Sequence, residues 1–267
     1  MFITKKNFRK IIIMSVCYFS LGTLCIIISL LFNSIGFSAD FLLALGIITY
    51  FLCGLMFFWG WYAEGKGKLI NLGNKLVRNE LKPAEFIKEY EFLKNSQELI
   101  ANKPSFEVLQ LVAVAYDSLD DRENALATVD KMIDVASEKK KVFAKLFKTS
   151  FMFSYDKNEE AEELFNEARK QKLDIMCNGL ADAILKGDRA MAMGDYKTVE
   201  KYNLNMLERK FPKLDNLGKL IVHYRLGEIY EKSQENNKAI THYQYCVDFG
   251  GETAIKKSAM EKIQYIK

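Results

Sequence analysis

Chemistry carried out by side chains requires an acid, a base, a nucleophile or a set of metal ligands held together in a pocket. The two histidines, His223 and His242, are therefore the first residues to place. Neither lies in a motif with a Ser or Cys nucleophile, and two imidazoles alone do not complete a metal site. Of the five cysteines, Cys17, Cys25 and Cys53 sit in apolar runs, while Cys177 and Cys246 fall in the polar part of the chain. They form no CxxC pair and no zinc spacing, so they read as buried or lipid-facing free thiols. The densest acidic run, Glu159-Glu160-Ala161-Glu162-Glu163, spreads around more than half of a helix and suits a solvated first turn. Asp120-Asp121-Arg122-Glu123 and Asp156-Lys157-Asn158-Glu159 lack the glycine and the distal glutamate of a calcium loop and read as helix caps. Gly60-x-x-x-x-Gly65-Lys66 matches a phosphate-binding loop only superficially. Gly67 stands where Ser or Thr is required, and an apolar helix precedes the stretch in place of a strand. The expectation is a protein that is not an enzyme, with no catalytic residue, cofactor or metal.

The elements that carry these residues fall into two classes. Ile11–Phe32 and Phe41–Tyr62 run without a charged side chain, and each exceeds the roughly 20 residues needed to cross a bilayer core. They predict transmembrane helices at 11–32 and 41–62, joined by an extracytoplasmic turn at 33–40. Lys5, Lys6, Arg9 and Lys10 make residues 1–10 a basic N-terminus, and Lys66, Lys68, Lys75 and Arg78 follow the second span. The turn holds no Lys or Arg, so both termini are expected in the cytoplasm, with a two-pass anchor in the cell (inner) membrane. Phe57, Phe58, Trp59, Trp61 and Tyr62 predict an interfacial aromatic belt. Ser15, Gly22 and Ser29 in the first span, and Gly46, Cys53 and Gly60 in the second, form small-residue stripes at heptad spacing. Such stripes let helices approach closely in lipid, and these two are expected to face each other. The lack of charges within the spans argues against a transporter, proton relay or channel. The lipid bilayer is thus one expected partner.

Downstream, 63–68 reads as a tether, and the rest as helices, with no strand-like alternation of any length. Helices near 69–80 and 83–95 suggest a degenerate pair across 69–103, Pro83 standing at a helix start. Over 104–250, Leu226-Gly227-x-x-Tyr230 followed by Ala239-x-x-x-Tyr243 places a small residue one turn from an aromatic on two successive helices. Ala125, Ala161, Val199 and Ala239 align as the small position of the second helix, at intervals of 36, 38 and 40 residues. Val112-Ala113-x-x-Tyr116 repeats the first-helix pattern; in the middle units Met152 departs from it, and Val199 and Asn203 depart from the Ala and aromatic of the second helix. This pattern resembles the tetratricopeptide repeat. The resemblance implies an all-α fold: a transmembrane helical hairpin followed by a solenoid of helix pairs, closed by a capping helix at 251–267 whose outer face is polar. A generic series of helical hairpins, or an unrelated helical bundle, would also suit the periodicity.

The same resemblance implies a concave groove lined by the first helices. Its positions map to Gln110, Val114 and Asp117, then Phe143, Leu146, Ser150 and Phe153. Ile184, Asp188 and Met191 follow, then Tyr224, Glu228 and Glu231. This surface is apolar in the middle and acidic at intervals, and lacks the Lys/Asn clamp of relatives that hold acidic tails. A basic, partly apolar peptide or helix of a protein partner is the expected ligand. Net charge is +4, but residues 1–62 hold four basic side chains against Asp40 alone, so the rest is nearly neutral and no nucleic acid is expected. Lysine far outnumbers arginine, and Ile and Asn are common, which is the usage of an AT-rich bacterial genome. The functional expectation is a membrane-anchored interaction scaffold or adaptor. An accessory subunit of a membrane complex and a tethered peptide sensor are the alternatives.

Overall fold

The computed structural model describes residues 2–35, 40–62, 67–95, 99–102, 104–209 and 213–266. Among the described residues the fold is all-α, with one short pair of strands in addition. The chain divides into two compact units, Met1–Leu69 with Glu91–Pro104, and Ile70–Tyr90 with Ser105–Lys267. The expected helix pair over 69–103 is therefore shared between the two.

In the first unit, α1 (Lys5–Ser34) and α2 (Asp40–Tyr62) lie antiparallel along one another. The small-residue stripes meet where described. A Cβ on Gly22 would lie 3.3 Å from the Gly46 carbonyl oxygen, and Cys53 Sγ donates to the Ser15 carbonyl at 3.1 Å. Ser29 is fully buried on the same seam. Gly60 lies outside the residues whose surroundings are described. Close backbone approach at small residues maximises van der Waals contact, and Thr23 and Tyr50 add a hydrogen bond of 2.5 Å across the seam. The outward faces carry exposed Ile13, Leu24, Leu31 and Phe51. The stretch Arg9–Ser34 is long and apolar enough to cross a membrane by length and composition. Within the expected aromatic belt Phe58 is exposed, and the side chains of Trp59, Trp61 and Tyr62 fall outside the described set. Phe2–Thr4 (β1) pairs antiparallel with Leu99–Asn102 (β2). That pairing was not foreseeable, because β2 is four residues of mixed character with no alternation.

The second unit is a series of helix pairs. Its first elements are shared with the first unit: α3 (Lys68–Gly73), which enters it at Ile70 and runs on as a π-helical turn at Asn74–Asn79, and α4 (Pro83–Asn95), which leaves it after Tyr90. The pairs are α5 (Phe106–Ser118) with α6 (Arg122–Val135), and α7 (Glu138–Ser154) with α8 (Asn158–Arg169). Next, α9 (Ile175–Ala183) continues through a π-helical turn (Ile184–Arg189) into α10 (Ala190–Ala192) and pairs with α11 (Tyr196–Glu208). Then α12 (Asn216–Lys232) pairs with α13 (Asn236–Phe249), and α14 (Ala254–Ile266) packs on that pair. Polar side chains start several of these helices: Ser105, Asp121, Asp174, Asp195 and Asp215 each accept a hydrogen bond from a backbone N–H of the first turn.

All four pairs turn in the same way. Asp120, Asp156, Gly194 and Gln234 adopt left-handed backbone at φ 58°, 61°, 76° and 60°. Beyond each, the next N–H reaches five residues back: Asp121 to Tyr116, Lys157 to Met152, Asp195 to Ala190 and Glu235 to Tyr230, at 2.8–2.9 Å. The left-handed residue itself donates three residues back in every case, to Asp117, Phe153, Met191 and Glu231. These paired bonds form a Schellman stop that satisfies the last carbonyls of the first helix. The turns recur at the same intervals as Ala125, Ala161, Val199 and Ala239, and those four residues have no exposed surface. The aromatic that closes on a small residue is most direct in the fourth pair, where a Cβ on Gly227 would lie 2.6 Å from Tyr243 Cε1.

Two substitutions test this geometry by thermal unfolding of the detergent-solubilised protein. Gly227→Ala overpacks the ring and should lower stability by about 1–3 kcal/mol. Gln234→Gly removes the cost of a side chain in left-handed backbone and should raise it by about 1 kcal/mol. An unchanged midpoint for both would contradict the close approach and the turn.

Candidate functional site

The first helices of successive pairs are joined by polar and aromatic contacts that recur with the period of the series. Phe106 of α5 meets Phe143 of α7 edge-on. Tyr155, just past α7, donates through its hydroxyl to Asp117 of α5 at 2.7 Å, across 38 residues. Ser150 of α7 donates to Asp188 at 2.5 Å, again across 38 residues. Arg225 of α12 donates to the other oxygen of Asp188, across 37. The π-helical turn at Ile184–Arg189 matters here, because Gly187 lies under the Arg225 guanidinium, with Nη1 3.1 Å from where a Cβ would stand. A bulkier residue would push the cation away from its carboxylate. The fourth pair then adds Tyr243 donating to Glu231 at 2.6 Å, with Lys262 of α14 on the same carboxylate.

Placed on this frame, the expected groove residues separate into two groups. Leu146, Phe153 and Ile184 belong to one buried cluster with Phe165 and Ala168, and Leu146 has no exposed surface. These are packing residues, because an apolar side chain on a first helix gains more from the interhelical core than from the open face. Asp188 differs most from expectation. Its side chain is only 6% exposed and is already neutralised by Arg225, so it is not an acid held free for a basic ligand. The one-letter pattern hid this, since Arg225 lies 37 residues downstream and no local spacing links the two.

The second group keeps partial exposure: Asp117, Phe143, Met191, Tyr224, Glu228 and Glu231. Gln110 and Val114 share their class, and so does Ser150 with its bond to Asp188. Burial pushes the Asp117 carboxyl above its usual range, with the Tyr155 hydrogen bond and Arg225 working in the opposite direction. Burial likewise raises Glu228, against the pull of Arg225, Lys262 and Lys232. Tyr224 is pushed up to about 12, mainly by burial and then by Glu228. Phe143 packs partly on the buried cluster and stacks on Phe147, while Met191 packs on Ala190, Val199 and Ile229. What remains accessible is a half-buried strip of apolar and acidic groups along α5, α7, α10 and α12.

The histidines, which the sequence left without partners, find each other. His223 and His242 lie with their Nδ1 atoms 2.9 Å apart, so one neutral ring donates to the other. His223 stacks on Tyr245 at 3.7 Å between ring centroids, and His242 stacks on Tyr230 at 5.5 Å. No group of three His, Cys, Asp or Glu side chains suited to a metal occurs among the described residues. Burial, then His242, then Lys219 hold the His223 pKa down at about 4, and burial lowers His242. No protein-family model, no curated protein and no solved structure matches this chain.

Two predictions follow from these side chains. Asp188→Asn leaves a guanidinium unpaired and should cost about 3 kcal/mol, while adding Arg225→Met should recover much of the loss in a double-mutant cycle. Because the folded state holds both imidazoles below the ordinary value of 6.5, their contribution is complete above that pH and is lost as pH falls toward about 4. For half-exposed rings this amounts to roughly 1 kcal/mol. His223→Phe should flatten that part of the stability–pH curve, and identical curves would contradict the neutral pair.

Proposed function

We propose that the protein is a membrane-anchored interaction scaffold without catalytic activity of its own. The antiparallel pair α1–α2 crosses the inner membrane twice as an anchor, with both termini in the cytoplasm. The helix pairs form a tetratricopeptide-like solenoid that holds a peptide or helix of a protein partner along its first helices. The observation that carries this reading is the recurrence of one turn and one interhelical link at 36–40-residue intervals, which is how a stack of like units is built. Pairing of β1, which precedes the first span, with β2, which follows the second, supports both ends of the anchor lying on one side.

The ligand read here is basic and partly apolar, matched chiefly to Glu228 beside Phe143, Met191 and Tyr224, because Asp117 already accepts from Tyr155 and Glu231 from Tyr243 and Lys262. With Asp188 neutralised internally, Glu228 is the acid on which capture of a cation depends, since the cations near it, Arg225, Lys262 and Lys232, are bonded to Asp188, Glu231 and Tyr196. Nucleic acid has no part in this reading, because the unit downstream of the anchor is nearly neutral.

Affinity purification of the intact protein from its own membranes identifies the partner. Glu228→Lys should then reduce capture at low salt by about tenfold, with a smaller effect at high salt. Equal recovery by both forms would remove the basic-ligand reading. Loss of every partner on deletion of residues 69–267 is expected; a membrane protein that still co-purifies would instead make the helix pair α1–α2 the interface. For topology, a cysteine at Ser38 in a cysteine-free background should react with an impermeant maleimide on intact cells, and one at Lys257 only after permeabilisation. The reverse labelling would overturn the orientation.

A further inference from the structure

The stretch Ile70–Leu81 ties together parts of the second unit that lie far apart in sequence. At Gly73 its backbone runs against α5, where a Cβ would stand 2.8 Å from Leu111 Cδ1. One turn later it reaches α12, 137 residues downstream. Arg78 Nη1 donates to Asp215 Oδ2 at 3.1 Å, and Asn216 Nδ2 donates to the Asn79 carbonyl at 2.8 Å. At its end, the Glu252 N–H donates to the Leu81 carbonyl at 2.8 Å, in the turn between α13 and α14. Leu76, Val77 and Leu81 are buried. A single short segment therefore bridges the first helix of the first pair, the first helix of the fourth pair and the turn behind it.

It does so in a backbone state that is costly to hold. Asn74–Asn79 is wound as a π-helical turn, Leu81 is a buried non-glycine residue at φ 57°, and Arg78 Nε is buried with no acceptor. Each feature subtracts from what the contacts contribute, which narrows the gap between the seated and the released segment. In the sequence the segment also directly follows the stretch that leaves α2.

We propose that Ile70–Leu81 is a built-in ligand of the helix series. It fills in cis the surface between α5 and α12, and a partner helix of the same chemistry takes that surface by displacing it. That chemistry is a pair of adjacent apolar residues followed by a cation, as in Leu76-Val77-Arg78: the apolar pair replaces the buried contacts, and the cation replaces Arg78 on Asp215. The inference rests on the reading of the first helices as a binding face and names what competes for it.

The test uses the full chain in detergent micelles and a fluorescent peptide of residues 70–90. Arg78→Glu sets a carboxylate against Asp215 and releases the segment, so this form should bind the peptide at least about tenfold more tightly than the unsubstituted chain, whose site is mostly occupied. Asp215→Asn, which keeps the helix cap but not the charge, should weaken that binding, and a peptide carrying Arg78→Glu should not bind. Hydrogen exchange should speed up at 74–82 in the Arg78→Glu chain while α5–α14 stay protected. Equal peptide affinity in the two chains, including none in either, would overturn the proposal. So would loss of protection throughout α5–α14, which would make the stretch an integral part of the core. Peptide exchange as expected, with partner capture unaffected by Arg78→Glu, would keep the cis-ligand and discard the binding-face reading.

Discussion

Every helix pair in the second unit depends on two helices approaching within the width of a small side chain. Ala125, Ala161, Val199 and Ala239 are fully buried in the four pairs, and Gly227 beneath the Tyr243 ring shows the close approach directly. The constraint propagates. If the second helix is to lie so close, the first must stop abruptly and reverse, which calls for a left-handed residue at a fixed distance from the contact. The chain meets this four times, and only once with glycine. Asp120, whose side chain accepts from Arg122 Nε, and Asp156 belong to a residue type that tolerates the conformation, whereas Gln234 adopts it on the exposed side of the same hydrogen-bonded stop.

The polar links between first helices have a different character. Removing Asp188 and Arg225 from water costs more than an exposed pair would, so the contact is weak evidence of stability in itself. Its value lies in register. A carboxylate that accepts from Ser150 on one side and Arg225 on the other is satisfied only when three successive first helices stand at one relative height. An apolar face can slide by a turn with little penalty; this one cannot. The same fact removes Asp188 from the list of surface charges, and sets it apart from Glu228, which is half-buried with Arg225, Lys262 and Lys232 near it.

Much of the local structure was readable from residue pattern. The helices at 69–80 and 83–95 and the facing small stripes of α1 and α2 rest on periodicities of three to seven residues, which short-range sterics impose, and the small positions of the four pairs on a recurrence every 36–40 residues. What escaped was long-range or dependent on context. The Asp188–Arg225 pair and the His223–His242 pair join residues on different helices, and nothing in either neighbourhood marks the other. Leu146 and Phe153 were placed on an open face because the alignment gives the helix but not its rotation, and a shift of one residue turns a side chain by about 100°. The strand Leu99–Asn102 has no pattern of its own and owes its conformation to pairing with Phe2–Thr4.

The bridge made by Ile70–Leu81 also sets how the second unit carries force. Helix pairs stacked in a row and pulled from one end come apart one after another, because each interface bears the whole tension in turn. Here a pull on the chain ahead of Ile70 reaches α5 through Gly73, α12 through Arg78 and Asn79, and the following turn through Leu81. Tension entering on that side is shared by both ends of the row at once. A load on that side therefore falls on contacts with α5, α12 and the α13–α14 turn together.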